Sequence, residues 1–389
     1  MVALFCSLIL LSISSEPVTC AEKNHSVNKK LRVVALEGTA YNRGLVHGRT
    51  LKKEIQEVIA LWRDDIEKTF KVTADKFIES FLKKTDFQKS IKRWMPEMLE
   101  EVRGIADGSG IDYNTIYLFQ LPDELWANGS DVIGERCTSI GINRRGNSPT
   151  FVAQNMDIPS FFHGYQTLLH IKDSGFEAFV LTVPGMIGIN GINSHALAIT
   201  CNTLLQLQYS RDGLPVAFIV RGALKQKSLK NLVRFITEIK HASGQNYIIG
   251  GPERAYSFEC SANKVIEFIP YEGAELTYHT NHPLANDDYS KTFVDNLRKI
   301  NKTPQEWNYF CYRLDALEKR IGKKSKATDI NLDLIKATLS SRDSESKPIS
   351  NPLSYACTIM VLSAKPQLHI APGRPDITPF EVFRFIDKQ

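Results

Sequence analysis

The sequence predicts an α+β fold on three observations. Before about residue 120 the apolar residues recur three and four apart, as on one face of a helix. After Cys137 they alternate in short runs bounded by turn residues, and helical blocks interrupt these later strands without any internal repeat. Antiparallel strands broken by blocks of helix place the chain in the α+β class. Its 389 residues can hold one large domain or two ordinary ones, and 43% hydrophobic with 23% charged residues is the composition of a globular protein. The formal charge of +5 is spread along the chain, with no run of five basic residues and no interleaved aromatics, so no nucleic-acid partner is expected.

The chain opens with V-A-L-F-C-S-L-I-L-L-S-I, then polar residues and the small-residue site Thr19-Cys20-Ala21. The run is too short to cross a bilayer and reads as a cleaved signal peptide over residues 1–21. A stable membrane span is therefore not expected, and the mature protein is expected to be secreted or lumenal (lysosomal, extracellular or periplasmic). Because no Lys or Arg precedes the run, a buried N-terminal strand remains the other reading, while P-V-T before Cys20 argues against a lipidated cysteine. Sequons at Asn24, Asn128 and Asn301 are glycosylation acceptors in a eukaryotic secretory host. Without Cys6 and Cys20, the remaining cysteines are widely spaced and contain no C-x-x-C pair, so neither a zinc site nor a disulfide-dense scaffold is indicated. No metal or cofactor is expected. With Cys137 set aside, Cys201, Cys260, Cys311 and Cys357 allow up to two disulfides, which the sequence does not decide.

Leu31 to Ala40 reads as a short strand. In Y-N-R-G-L-V-H-G-R-T, Gly44 and Gly48 stand four apart at a helix start, a spacing that lets two elements approach closely; His47 between them reads as a packed or surface histidine. Leu51, Ile55, Val58, Ile59, Trp62, Ile66 and Phe70 then mark an amphipathic helix, with more helix to Gly104 interrupted near Pro96. Strands are predicted at Gln166–Lys172, Phe176–Val183, Ala196–Cys201, Tyr247–Ile249, Ala255–Cys260 and Val265–Ile269. Helices are predicted over Val216–Lys240, Ser290–Ile300, Gln305–Ile321 and Ile330–Leu339, before a closing hairpin over Cys357–Ala371. The G-M-I-G-I-N-G-I-N stretch at Gly185–Asn193 lacks the Lys-Ser/Thr of a phosphate loop and reads as turns and close strand packing.

The central stretch is E-R-C-T-S-I-G-I-N-R-R-G-N-S-P-T-F-V-A-Q-N-M-D-I, Glu135 to Ile158: two apolar runs around the turn-rich N-R-R-G-N-S-P, a β-hairpin with Cys137 at the start of its first strand. A lone cysteine there is read first as a small buried hydrophobe. Asp157 comes 20 residues later, so the return strand brings it beside the strand start; capping the turn at Ile158-Pro159 is its plain reading. Asn155 shares a strand face with Asp157 and either lines the same site or sits as a buried ladder partner, while Gln154 points away. Asn281, before Pro283, reads as a turn asparagine or as a site amide.

The C-T-S start at Cys137, Q-N-M-D at Gln154–Asp157, G-I-N-S-H-A-L-A-I-T-C-N-T-L at Gly191–Leu204 and H-T-N-H at His279–His282 occur in that order. Together they resemble the acyl-coenzyme A:6-aminopenicillanic acid acyltransferase-like family of N-terminal nucleophile (Ntn) hydrolases, over about Gly38 to Phe385. That family includes β-alanyl-amine hydrolases and is more distantly similar to choloylglycine hydrolases and acid ceramidase. The resemblance implies a four-layer αββα sandwich and self-cleavage between Arg136 and Cys137. Residues 22–136 would then form a mainly helical alpha subunit and residues 137–389 the catalytic beta subunit, the two remaining associated.

It further implies that Cys137 is the nucleophile, its freed α-amine the general base, Asp157 the group that holds the α-ammonium, and Asn281 an oxyanion donor. Asn202 is implied to line the acyl pocket; His282 is matched in related members too and is read here as structural. Gln154 stands where the choloylglycine and ceramidase branches carry an arginine, which favours the acyltransferase-like branch. The family's late cysteine-arginine pair is absent; in S-R-D-S-E-S-K-P-I-S-N, Arg342 or Lys347 is the substitute expected to meet a substrate carboxylate. The activity expected is hydrolysis of a linear, non-peptide C–N bond in a small-molecule amide, with acyl transfer to an amine and a non-catalytic binding relative as the alternatives.

Overall fold

The computed structural model describes residues 31–129, 137–173, 175–306, 311–322 and 330–385. The leader, Asn24, Arg136 and part of the helix predicted over Gln305–Ile321 lie outside them. A first strand, β1 (Arg32–Glu37), leads into α1 (Ala40–Thr50), capped by the Thr39 hydroxyl on Asn42 N. Then come α2 (Lys52–Phe70), α3 (Ala74–Lys83), α4 (Phe87–Trp94), α5 (Glu97–Ser109), α6 (Tyr113–Phe119) and α7 (Pro122–Gly129). The apolar stripe read from the sequence is the buried face of α2: Ile55, Val58, Ile59, Trp62 and Ile66. Pro96 stands at the N-cap of α5, where its missing N–H costs nothing.

Gly44 and Gly48 do let two elements approach, and their partners are Gly104 and Gly108 on α5. A Cβ on Gly44 would lie 1.9 Å from Glu101 O, and one on Gly104 2.2 Å from Tyr41 O, so the two helices touch backbone to backbone. At one edge of this contact Glu101 is fully enclosed between Arg43 (Nε to Oε2, 3.1 Å) and Arg221 (Nη1 to Oε1, 2.5 Å; Nη2 to Oε2, 3.0 Å).

The strands follow as β2 (Thr138–Ile142), β3 (Thr150–Asp157), β4 (Thr167–Asp173), β5 (Phe176–Thr182), β6 (Asn190–Asn193) and β7 (Ala198–Thr203). The helical run predicted over Val216–Lys240 is two helices, α8 (Val216–Leu224) and α9 (Leu229–Glu238), the second begun by a Ser228 cap. The remaining elements are β8 (Gln245–Gly250), β9 (Ala255–Cys260), β10 (Val265–Glu267), β11 (Leu276–His279), α10 (Lys291–Lys299), α11 (Tyr312–Ile321), α12 (Leu332–Leu339), β12 (Ser354–Leu362), β13 (Gln367–Ala371) and β14 (Glu381–Arg384). Asn301, whose whole sequon lies within the described residues, is an exposed residue at positive φ just past α10, while the sequon of Asn128, in α7, ends outside them.

Among the described residues the strands make two sheets, ordered β1-β4-β5-β6-β7-β8-β9-β10 and β11-β2-β3-β12-β13-β14. They pack face to face, β2 and β3 against β7, β8 and β9. Helices α1, α8 and α9 cover the outer face of the first sheet, and α11 and α12 that of the second. The fold is thus the four-layer αββα sandwich. Strand alternation divides β3 between two cores: Val152 and Met156 face the space between the sheets, and Phe151 and Ala153 face α11 and α12. The inner core also contains Trp62, Ile105 and Phe119, so the helical segment before residue 130 and the sheets share one continuous apolar interior. No disulfide joins Cys137, Cys201, Cys260, Cys311 and Cys357, and no helix among the described residues is long and apolar enough to cross a membrane.

Candidate active site

Cys137 is the residue immediately before β2, and alternation decides where its thiol points. A Cβ on Gly141 would meet Ala255 and Ile248 of the facing sheet, whereas Ile140 and Ile142 belong to the outer core. Cys137 shares the inward parity of Gly141: it is 2% exposed, with Sγ 3.5 Å from Met156 Sδ. The hairpin register, Thr138 opposite Asn155, puts Asp157 at the same end as Cys137 and one residue past it.

The peptide nitrogen of Cys137 donates to Asn281 Oδ1 at 2.7 Å. Arg313, in the first turn of α11, completes the strand start. Its Nη1 donates to Cys137 O and to Thr138 Oγ1 (3.0 Å), and its Nη2 donates to Asn281 Oδ1 (2.9 Å). One carboxamide oxygen therefore receives both the Cys137 nitrogen and a guanidinium N–H. The Asn281 amide group is turned the other way, Nδ2 donating to Thr203 O at 3.2 Å.

The loop carrying Asn281 is clamped from behind. Glu259 accepts from the backbone N–H groups of Leu284 (2.6 Å), Ala285 (2.9 Å) and Asn286 (2.6 Å) and pairs with His279 Nε2 at 2.7 Å. Burial pushes the Glu259 carboxyl up, but His279 and the backbone donors more than offset this and hold it below its ordinary value. His282 touches the Thr280 hydroxyl at 3.3 Å, and burial, with His279 and Arg313 nearby, lowers its pKa to about 4.

Asp157 is fully buried on the outward face of β3. Ser354 Oγ donates to its Oδ1 at 2.7 Å and Asn351 Nδ2 to its Oδ2, beside a register break between Ser354 and Ala356 on the neighbouring strand. Asn155 shares this face, as alternation requires, but it does not line a site with Cys137. Its Nδ2 is taken by Leu339 O (2.8 Å) and Ile349 O (3.1 Å), so it ties α12 and the following loop to β3.

Two further expectations are corrected by the same alternation and by loop packing. Asn202 faces the second sheet, Nδ2 at 3.5 Å from His279 O, while its neighbours Cys201 and Thr203 line the cavity. Arg342 is exposed; it donates to Ser350 O at 2.9 Å and lies 3.9 Å from Asp376, bracing the loop that delivers Asn351. Lys347 is exposed on that loop. The cation at Cys137 is Arg313, which carried no sequence signal because a lone arginine in a helix does not announce which strand it reaches. Glu259, Asn351 and Ser354 were missed for the same reason.

Cys137 and Met156 line a cavity of about 230 Å³ between the helical segment and the sheets. Its walls are mainly apolar: Trp62, Ile66 and Phe70 of α2, Phe119, Leu125 and Trp126 around α6 and α7, and Phe161 and Ile189. Asp123 stands in this wall, Oδ1 accepting from Thr203 Oγ1 (2.7 Å) and Gln245 Nε2 (2.8 Å). Next to it Glu124 is enclosed, accepting from Val216 N (3.1 Å) and Ser243 Oγ (3.0 Å); burial and the Asp123 charge push its carboxyl up to about 8. No group of three or more His, Cys, Asp or Glu side chains among the described residues is arranged to hold a metal ion. Chemically, the site offers a thiol at an apolar cavity, with an amide and a guanidinium fixing the main chain beside it.

Two facing sheets between helical layers, with a cysteine opening an inner strand against a cavity, define the αββα class of Ntn hydrolase folds. The profile of the family described as acyl-coenzyme A:6-aminopenicillanic acid acyl-transferase matches residues 143–349, more than half of the chain, and the chain belongs to that family. It is similar to an acyl-coenzyme A:6-aminopenicillanic-acid-acyltransferase 40 kDa form of Emericella nidulans, 26% identical over 71% of this chain and 74% of that protein. It is 29% identical to protein dcd1A of Dictyostelium discoideum over half of each chain. Among solved structures, a Caenorhabditis elegans N-acylethanolamine-hydrolyzing acid amidase ortholog is similar at 15% identity, with a TM-score of 0.42 over 64% of this chain and all of that one, too low to bear on activity.

Proposed function

We propose that this protein is a self-processing cysteine enzyme that cleaves the linear amide C–N bond of a small N-acyl substrate through an acyl-thioester on Cys137. The observation that carries the reading is a cysteine held by its own main chain, N on Asn281 Oδ1 at 2.7 Å, with its thiol turned towards an apolar cavity of about 230 Å³.

In maturation Cys137 Sγ attacks the Arg136 carbonyl carbon, the Arg136–Cys137 C–N bond breaks as the nitrogen takes the thiol proton, and water hydrolyses the resulting thioester. An Arg136 carboxylate, the thiol and a free α-amine are left. That amine, with an ordinary pKa of about 8, can move protons near neutrality where a peptide nitrogen cannot. In turnover it takes the thiol proton, the thiolate attacks the substrate amide, and the α-ammonium returns a proton to the leaving amine; water then resolves the thioester.

Asn281 Nδ2 has two N–H donors, of which Thr203 O takes one, so the other is available to an oxyanion. The Arg313 guanidinium, sharing Asn281 Oδ1 with the Cys137 nitrogen, disfavours a second positive charge there and so favours the amine as free base. Asp157, held by Ser354 and Asn351, is the carboxylate at the same end of the hairpin that steadies the protonated amine. Because one apolar core runs through both segments, the two chains stay associated after cleavage.

Acyl transfer to an amine is the second reading, favoured by the printed name of the Emericella nidulans relative. The two share every step to the thioester and differ in what resolves it. The test is a panel of N-acyl p-nitroanilides with and without a small primary amine. The proposal expects nitroaniline release without added amine, and an acyl adduct on the chain beginning at Cys137 that hydroxylamine removes. Turnover that persists in Cys137→Ala contradicts it, and release only when the amine is present assigns the transferase reading.

A further inference from the structure

The mechanism above leaves the Asp123 carboxylate in the cavity wall unused. It is not a stray surface acid: Thr203 Oγ1 and Gln245 Nε2 both donate to its Oδ1 and fix it in place, at the first turn of α7 and against β7 and β8. Both donors are neutral, and no Lys, Arg or His lines this cavity among the described residues. Burial raises the Asp123 carboxyl above its ordinary range, with the hydrogen bonds from Thr203 and Gln245 lowering it part of the way back. A carboxylate set in apolar walls without a cation is costly, and a ligand that supplies the cation recovers that cost.

The rest of the wall suits such a ligand. Trp62, Phe70, Phe119, Trp126 and Phe161 give aromatic faces around the space, which attract an ammonium and are indifferent to a neutral alkyl group. Asp65, also in the wall, adds negative charge of the same sign.

We propose that Asp123 is a specificity-determining residue that selects substrates carrying a protonated amine on the part lodged in the cavity, and that disfavours those carrying a carboxylate there. This rests on the reading of the cavity as the substrate site of Cys137. The carboxylate meets the ammonium through its second oxygen while Thr203 and Gln245 keep the first, so binding leaves the wall's own hydrogen bonds in place.

The test separates binding from turnover. Hexylammonium, hexanol and hexanoate share one alkyl chain and differ in the charge of the head group. Each is titrated into the wild-type protein, with its affinity read by calorimetry and its occupancy by protection of Cys137 from iodoacetamide. Hexylammonium is expected to bind about tenfold or more tighter than hexanol, as one charge-assisted hydrogen bond gives, and hexanoate weaker than both. Asp123→Asn is expected to abolish the preference while still binding hexanol, which reports an intact cavity. Equal affinities for the three in the wild type, or a preference that survives in Asp123→Asn, overturns the proposal without any variant having to be active. Hexylammonium selectivity in a protein that turns over no amide leaves Asp123 as the group that selects cationic ligands for the cavity and removes the catalytic reading. Turnover of N-acyl p-nitroanilides with no such selectivity does the reverse.

Discussion

At the scale of single residues the account rests on two side chains around one main-chain unit. Asn281 and Arg313 meet at Cys137, and each makes a distinct prediction. Removing the amide in Asn281→Ala is expected to lower kcat about 100- to 1000-fold, the usual cost of one oxyanion donor, with KM moved far less; steady-state kinetics on the processed enzyme checks this. Removing the guanidinium in Arg313→Gln lets the α-amine pKa rise, so the acid limb of the kcat/KM profile is expected to move to higher pH, which a pH series measures. How much of this was legible in the sequence divides along one physical line. Motif order pointed to Cys137, Asp157 and Asn281, and the structure brings all three to the open end of one hairpin or its neighbouring strand. Arg313, Ser354 and Asn351 were not legible, because each arrives from an element more than 150 residues away in the chain. Asn202 was placed wrongly by family likeness, because strand parity turns its side chain from the cavity, and of the two readings of Asn155 the buried partner is the one the structure shows.

At the scale of elements, periodicity carried the reading furthest where one face is buried and the other wet. The stripe on α2 is such a case; the hairpin of β2 and β3, buried on both faces, was legible instead from the turn-rich N-R-R-G-N-S-P between its two apolar runs, and both were read at nearly their observed limits. Short strands were not: β6, β11 and β14 have four residues each, too few for a period of two to stand out from a loop. The helix contact through Gly44, Gly48, Gly104 and Gly108 is a stronger constraint than either period. Gly104→Ala puts a methyl 2.2 Å from Tyr41 O, so the helices must separate, and a lowered melting temperature is expected although alanine is the better helix former. Glu101→Gln leaves Arg221 buried without its carboxylate, while Arg43 keeps Asp173 (3.2 Å), and is expected to cost about 3–5 kcal/mol, read from chemical denaturation.

At the scale of the whole molecule the buried titratable groups set where the fold is most stable. His47, which accepts from Gly185 N, and His241 and His282 are held neutral, burial lowering each to about 4 from an ordinary 6.5. The unfolded chain binds those protons first, so stability falls as pH drops from 6.5 towards 4. Glu124 acts in the opposite direction: raised to about 8 by burial and Asp123, it is protonated in the fold and ionised when unfolded, so stability falls as pH rises from about 4.5 to 8. These histidines, together with His369, lowered to about 4 by burial with Lys336 and Arg384 nearby, outweigh the glutamate below 6.5, and the glutamate acts above it. A stability maximum near pH 6.5 is therefore expected in a pH series of thermal unfolding, with Glu124→Gln flattening the alkaline side and leaving the acid side in place. The layered fold and the family were legible because they depend on pattern over long stretches, whereas the cavity is assembled from seven separate parts of the chain and belongs to no single motif. The central claim is that Cys137 becomes a chain terminus by its own chemistry. Intact mass spectrometry with N-terminal sequencing, on purified wild type beside Cys137→Ala, tests it most directly. The account predicts two chains from wild type, one beginning Cys-Thr-Ser, and a single chain from the variant; a wild-type protein that stays uncut after prolonged incubation contradicts it.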